Sequence, residues 1–166
     1  MKAELYWIQS VGAGRLATLP HPRGGDWLPD EIASLRADGV DLLVSLLTPY
    51  EIGDLELQAE AELCAGAGIE LASYPIEDRR VPPSLAEMRD LVARLFVALQ
   101  AGRGVALHCR AGIGRSSTVA ACVLVAAGLS PEQAFARITA ARGVDLPDTD
   151  EQRAWVEWFA ASGLTP

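Results

Sequence analysis

Gly104-Val105-Ala106-Leu107-His108-Cys109-Arg110-Ala111-Gly112-Ile113-Gly114-Arg115-Ser116-Ser117 is the stretch whose reading decides the fold. Its first five residues form a short apolar run, as expected of a strand covered on both faces. Residues 115–127 read as a helix that is apolar nearly all round, a pattern found at the centre of a domain. Between them, Gly112 and Gly114 allow the backbone to bend tightly and to approach a ligand without a Cβ in the way. A buried strand that runs through such a loop into a buried helix is a unit of an open α/β sheet. There, ligands collect at the carboxyl ends of the strands.

Working outward, residues 5–8 and 15–18 read as two short strands joined around Gly12-Ala13-Gly14. A turn-rich segment follows at residues 20–25, and Pro29-Asp30-Glu31 opens a short helix that Gly39 ends. Residues 41–47 are a continuous apolar run predicting another doubly covered strand, residues 51–65 a helix, and residues 69–76 a further strand. Residues 84–101 carry Ser84 with Glu87 as a capping box and an apolar stripe of Met88, Leu91, Val92, Leu95, Phe96 and Leu99. Ser130-Pro131 and Thr149-Asp150-Glu151-Gln152 start two more helices. This alternation predicts an α/β fold: a central, largely parallel sheet of about four to five strands flanked by helices. The glycine-bearing loop then lies between a strand and the central helix. No repeat or low-complexity linker interrupts the chain, so residues 1–166 read as one domain.

Composition narrows the function classes. The chain has 166 residues, 14 Lys+Arg against 22 Asp+Glu, a net charge of −8, and half its residues apolar. A mean hydropathy of +0.18 excludes intrinsic disorder. The negative charge argues against a general nucleic-acid binder and against docking on an anionic membrane. Cys64, Cys109 and Cys122 are odd in number and contain no CxxC, so neither a disulfide framework nor a zinc site is suggested. The first ten residues show no apolar signal core. The longest apolar run, residues 119–127, is far shorter than the ~20 residues of a bilayer span. The expectation is a soluble cytoplasmic protein with reduced thiols.

A loop entering a helix N-terminus aims several N–H groups at one point and favours an anion there. Arg115, at the helix start, can offer a planar fork of donors to two oxygens of a phosphate. A thiol near that N-terminus and that guanidinium, Cys109, is held as thiolate more readily than a free thiol. A thiolate inside an oxyanion cradle is a nucleophile toward phosphorus. The donors that hold the ground-state phosphate also hold the equatorial oxygens of an in-line transition state. The loop is not a Walker A, since no Gly-Lys-Ser/Thr follows. It is not GxGxxG either, since Ser117 stands where the third glycine belongs.

His108-Cys109, then five residues, then Arg115-Ser116 resembles the HCx5R[S/T] signature of the cysteine-dependent protein tyrosine phosphatase superfamily. The short chain is similar to the dual-specificity branch. The resemblance covers residues 41–159. It implies a phosphocysteine at Cys109, and transition-state binding by Arg115 and by the amides of Arg110, Ala111, Gly112, Ile113 and Gly114. It also implies that Ser116 helps the thiolate leave when water attacks. The family's general acid lies about 30 residues upstream. Asp78, 31 residues before Cys109, matches that position, with Glu77 the competitor if the loop is shifted by one. In many relatives a late Gln positions the hydrolytic water. Gln152 is the candidate, and its place in a capping box explains the same residue. His108 orders the loop, tunes Cys109, or both. Cys64 and Cys122 read as core residues, or as thiols that pair with Cys109 on oxidation. Arg79 and Arg80 are solvated or steer a dianion.

The resemblance implies no metal and no cofactor. At this length it implies a shallow pocket, suited to phosphotyrosine and phosphoserine/threonine in proteins or to a small phosphorylated substrate. Members acting on inositol phospholipids tend to carry two basic loop residues; here Arg110 fills one place and Ile113 the other. A non-catalytic phosphate-binding module would lose the nucleophile or the acid, and both are present. Sulfur-transfer loops have a shorter spacing than Cys109 to Arg115.

Overall fold

The computed structural model describes residues 2–163. Met1 and residues 164–166, at the two ends of the expected domain, lie outside the described residues. Five strands form one sheet: β1 (Tyr6–Val11), β2 (Gly14–Leu19), β3 (Leu42–Ser45), β4 (Glu70–Ser73) and β5 (Gly104–His108). Their order is β1-β2-β5-β3-β4. β2, β5, β3 and β4 run parallel, and only the β1–β2 hairpin is antiparallel, turning at Gly12 with φ of 59°. The sheet is therefore α/β and mostly parallel, with β5 between two parallel neighbours.

Burial of both faces follows from residue alternation. Leu42, Val44, Val105 and Leu107 enter one core, while Leu43 and Ala106 enter the other. The first core is covered by α4 (Leu85–Gln100), α5 (Arg115–Ala126), α6 (Pro131–Arg142) and α7 (Asp150–Ala161). The second lies under α1 (Leu28–Ala37) and α3 (Glu60–Ala67). Each leucine sealed in this way contributes roughly 1.5–3 kcal/mol of burial. α5 is the most enclosed helix, with every residue from Arg115 through Leu124 buried. Among the described residues, no helix is long and apolar enough to cross a membrane.

Three details differ from the sequence pattern. The helix expected over residues 51–65 is two helices, α2 (Pro49–Asp54) and α3. Thr48 and Glu51 form a reciprocal cap that starts α2 early. Glu56 then adopts a left-handed φ of 56°, which turns fully buried Leu57 into the second core. At α4 only half of the expected capping box forms: Ser84 Oγ accepts the Glu87 N–H at 3.2 Å. β3 and β4 are also shorter than their apolar runs, while β1 and β2 are longer than expected. Beyond β4 the chain stays beside β3, with Tyr74 N–H donating to Ser45 O at 2.9 Å and Ile76 N–H to Leu46 O at 3.0 Å. That extension carries Glu77 and Asp78 to the carboxyl edge of the sheet, where β5 delivers Cys109.

Candidate active site

Cys109 follows directly from β5 and is 2% exposed. Its Sγ lies 3.5 Å from Ser116 Oγ, a buried hydroxyl in the first turn of α5. Around the sulfur, Asp78, Arg79, Arg110, Ala111, Gly114 and Asp148 wall a cleft of about 220 Å³, with Arg115 at its base. A wider hollow of about 690 Å³ opens beside it, between Pro49, Tyr50 and Glu51 on one side and Glu77, Asp78 and Arg110 on the other.

The loop is held from behind. Gly112 has φ of 71°, and a Cβ there would come within 2.5 Å of the Leu19 carbonyl. Only glycine fits this approach. Arg142 of α6 donates to Gly112 O at 3.1 Å and to Ala111 O at 3.3 Å, so these carbonyls face away from the cleft. His21 N–H donates to Arg110 O at 3.2 Å. Ile113 packs half-buried against the first core. His108 is fully buried, with Nε2 2.8 Å from Glu60 Oε1 and Nδ1 3.4 Å from Cys109 O. It therefore ties the strand end to the start of α3.

Arg115 is buried, and both of its terminal nitrogens are engaged. Nη1 and Nη2 each donate to one oxygen of Glu51 at 2.8 Å, and Nη1 also donates to Ile76 O at 2.8 Å. Nη2 lies 3.2 Å from Asp78 Oδ1. A planar bidentate pair of this kind fixes orientation as well as charge. Burial opposes ionisation of Glu51. The Arg115 fork and the Thr48 N–H outweigh that penalty and hold the carboxyl at about 2. Arg110, by contrast, turns outward, 3.1 Å from Asp54 Oδ2 and 3.5 Å from Glu51 Oε1. Among the described residues, no group of three or more His, Cys, Asp or Glu side chains is placed to hold a metal ion.

A thiol under a helix N-terminus, a fixed guanidinium and an exposed carboxylate thus converge on one small cleft. Residues 18–129 match the family described as Tc-R-P, polymorphic toxin system, DSP-PTPase phosphatase. The chain belongs to this DSP-PTPase family. It is 28% identical over 127 residues to cyclin-dependent kinase inhibitor 3 of Sus scrofa, covering 75% of this chain and 59% of that protein. It is 26% identical over 132 residues to phosphatidylglycerophosphate phosphatase PTPMT1 of Arabidopsis thaliana, covering 79% of this chain and 38% of that protein. It thus spans well under two thirds of the length of either relative. A crystal structure of kinase associated phosphatase with its catalytic-site cysteine replaced by serine shares the fold. The TM-score is 0.87 at 22% identity, with 99% of each chain covered.

Within this DSP-PTPase the structure brings Cys109, Arg115, Ser116, Asp78 and the loop residues together. Glu77 lines the wider hollow and not the cleft itself. Gln152 is fully buried: Oε1 accepts the Thr149 N–H at 3.3 Å and Nε2 donates to Arg80 O at 3.2 Å. Cys64 belongs to the second core, across the sheet from Cys109, and Cys122 lies well along α5 from Ser116. Neither is placed to meet Cys109. Burial, with Glu60 nearby, pushes the Cys64 thiol up to about 12, and burial pushes Cys122 well up.

Sequence reasoning missed Glu51, Arg142 and Asp148. Thr48-x-x-Glu51 is a readable cap signature, but it points to the helix start and not to Arg115. For Arg142 and Asp148 no local pattern exists, since each reaches the loop from the far end of the chain.

Proposed function

We propose that this DSP-PTPase is a metal-independent phosphomonoester hydrolase that works through a phosphocysteine at Cys109. The observation that carries this reading is the convergence of Cys109 Sγ, the Arg115 fork and the Asp78 carboxylate on one cleft of about 220 Å³. In the first step Sγ attacks phosphorus in line with the leaving oxygen. Arg115 and the loop amides hold the equatorial oxygens, and Asp78 protonates the departing alkoxide or phenoxide. In the second step water attacks, the P–S bond breaks, and the Ser116 hydroxyl donates to the returning thiolate.

The natural substrates in this reading are phosphotyrosine and phosphoserine/threonine in proteins. The open hollow beside the cleft admits a peptide, and exposed Tyr50 offers an aromatic wall. An inositol phosphate is less well served. Arg110, the loop cation that would meet a second phosphate, is paired with Asp54 and Glu51. The curated relatives' names include both a kinase-linked protein and a lipid phosphatase, so the substrate panel spans both.

The test is p-nitrophenyl phosphate turnover from pH 4 to 8 with EDTA, followed by phosphopeptides and inositol phosphates. Wild type turns over and Cys109→Ser does not. Asp78→Asn slows about 10²–10⁴-fold and loses the basic limb of the pH profile. Full activity in Cys109→Ser overturns the mechanism.

A further inference from the structure

We propose that Arg142 is a positioning residue for catalysis: by holding two loop carbonyls it aims the amides of Gly112 and Ile113 at the phosphoryl group. This rests on the phosphocysteine reading above. A trans peptide plane points its C=O and the following N–H in opposite directions. Fixing a carbonyl therefore fixes the amide after it. Three consecutive carbonyls of the loop are fixed from outside it. Arg110 O accepts from His21 N–H at 3.2 Å, Ala111 O from Arg142 Nη2 at 3.3 Å, and Gly112 O from Arg142 Nε at 3.1 Å.

The N–H groups of Ala111, Gly112 and Ile113 are thereby turned to the opposite side. Among the described residues, no backbone acceptor takes any of the three. Three adjacent amides are thus left to donate to an anion held beside Cys109. One of them is set by the backbone of His21. The other two are set by a single side chain that arrives from α6.

Those two planes are the ones that flank Gly112, and they are the ones most in need of a tie. The glycine has φ of 71° and lies against the Leu19 backbone, an approach that requires the absence of a Cβ. That same absence lowers the resistance of the adjoining planes to rotation. A rotated plane would show the anion a carbonyl oxygen instead of an N–H. Arg142 opposes this on both sides of Gly112 at once.

The guanidinium is itself held in place. Its Cζ lies 3.9 Å from the centre of the Tyr6 ring on β1, and Arg142 is the last residue of α6, which Gly143 closes in a left-handed cap. Nε and Nη2 form one edge of the planar group, and that edge spans two neighbouring carbonyls. A lysine, with its charge at a single nitrogen, has no such edge. Amides fixed in advance need no reorganisation as charge develops on the equatorial oxygens, so the benefit is greatest in the transition state.

The experiment measures kcat and KM for p-nitrophenyl phosphate, and inhibition by phosphate and by vanadate, in wild type, Arg142→Ala, Arg142→Lys and Cys109→Ser. A urea midpoint is taken for each. Loss of a preorganised oxyanion donor lowers kcat about 10²–10³-fold, and Arg142→Ala is expected to fall about 10²-fold in kcat with KM little changed. Vanadate, which takes the five-coordinate geometry, should lose more affinity than tetrahedral phosphate. Arg142→Lys, which reaches one carbonyl, should lie between the two, and millimolar guanidinium should restore part of the Arg142→Ala rate. If Arg142→Ala does not fold, Arg142→Lys carries the test through its kcat and its vanadate-to-phosphate ratio. The proposal is overturned if the folded variants keep the wild-type kcat and vanadate affinity. It is equally overturned if phosphate and vanadate weaken alike and neither Lys nor guanidinium restores the rate. Absence of turnover in wild type, or full activity in Cys109→Ser, instead removes the phosphocysteine reading on which the proposal stands.

Discussion

Replacing Glu51 with Gln tests whether the Arg115 fork is held by an ionised carboxylate. Glu51 is 5% exposed, and its carboxyl lies at about 2 against an ordinary 4.5. A carboxyl lowered on folding stabilises the fold above its unfolded value and loses that contribution as pH falls through its folded value. The lowering corresponds to roughly 3 kcal/mol, present above about pH 4.5 and lost toward pH 2. Removing one partner of a buried ion pair independently costs about 3–5 kcal/mol, because the other charge is left uncompensated. Glu51→Gln at pH 7 should therefore shift the urea midpoint down by about 1–2 M and the melting temperature by about 6–12 °C. The gap between wild type and variant should narrow as pH falls from 4.5 toward 2. Phosphate should restore more stability to the variant than to wild type, since an oxyanion in the cleft offers Arg115 the oxygens that Gln cannot. Equal midpoints at pH 7, or a gap that does not change with pH, would refute the reasoning.

Two further outcomes follow from geometry. Gly112→Ala places a methyl group within 2.5 Å of the Leu19 carbonyl at a φ of 71°, so it should cost about 1–3 kcal/mol and weaken phosphate binding. Calorimetric phosphate titration, beside a melting curve, would show an unaltered loop if that reasoning is wrong. Iodoacetamide at neutral pH should label Cys109 in the native protein and spare Cys64 and Cys122, whose thiols burial holds protonated. Peptide mapping that finds Cys64 or Cys122 modified before unfolding contradicts this.

The sheet and its main helices were legible because burial on both faces writes continuous apolar runs, as at residues 104–107, and helix caps write Ser or Thr three residues before Glu or Gln. The break at Glu56 was not legible. A left-handed non-glycine residue leaves no local mark, and the reason for it, Leu57 packing in the second core, is tertiary. The loop from Cys109 to Arg115 was legible because its glycines, cysteine and arginine are contiguous. Residues that complete it from elsewhere were not: Glu51 looks like a cap, Arg142 like a helix-end cation, and Asp148 like a turn residue. Gln152 shows the converse. The same letters fit a cap and a catalytic role, and in the structure the side chain joins both regions: Oε1 accepts in the cap while Nε2 reaches Arg80 O, two residues past Asp78.

The cleft has two kinds of parts. Its floor, Cys109 and the first turn of α5, grows from the most enclosed strand and helix of the molecule. Its rim, Asp78, Arg79 and Asp148, is exposed and borne on connecting segments. Changes at the rim need not disturb the packing that shapes the floor. Such an arrangement separates what chemistry is possible from which molecule receives it. A lineage built on this scaffold can exchange its rim segments to meet new phosphorylated partners while inheriting the anion-binding floor unaltered.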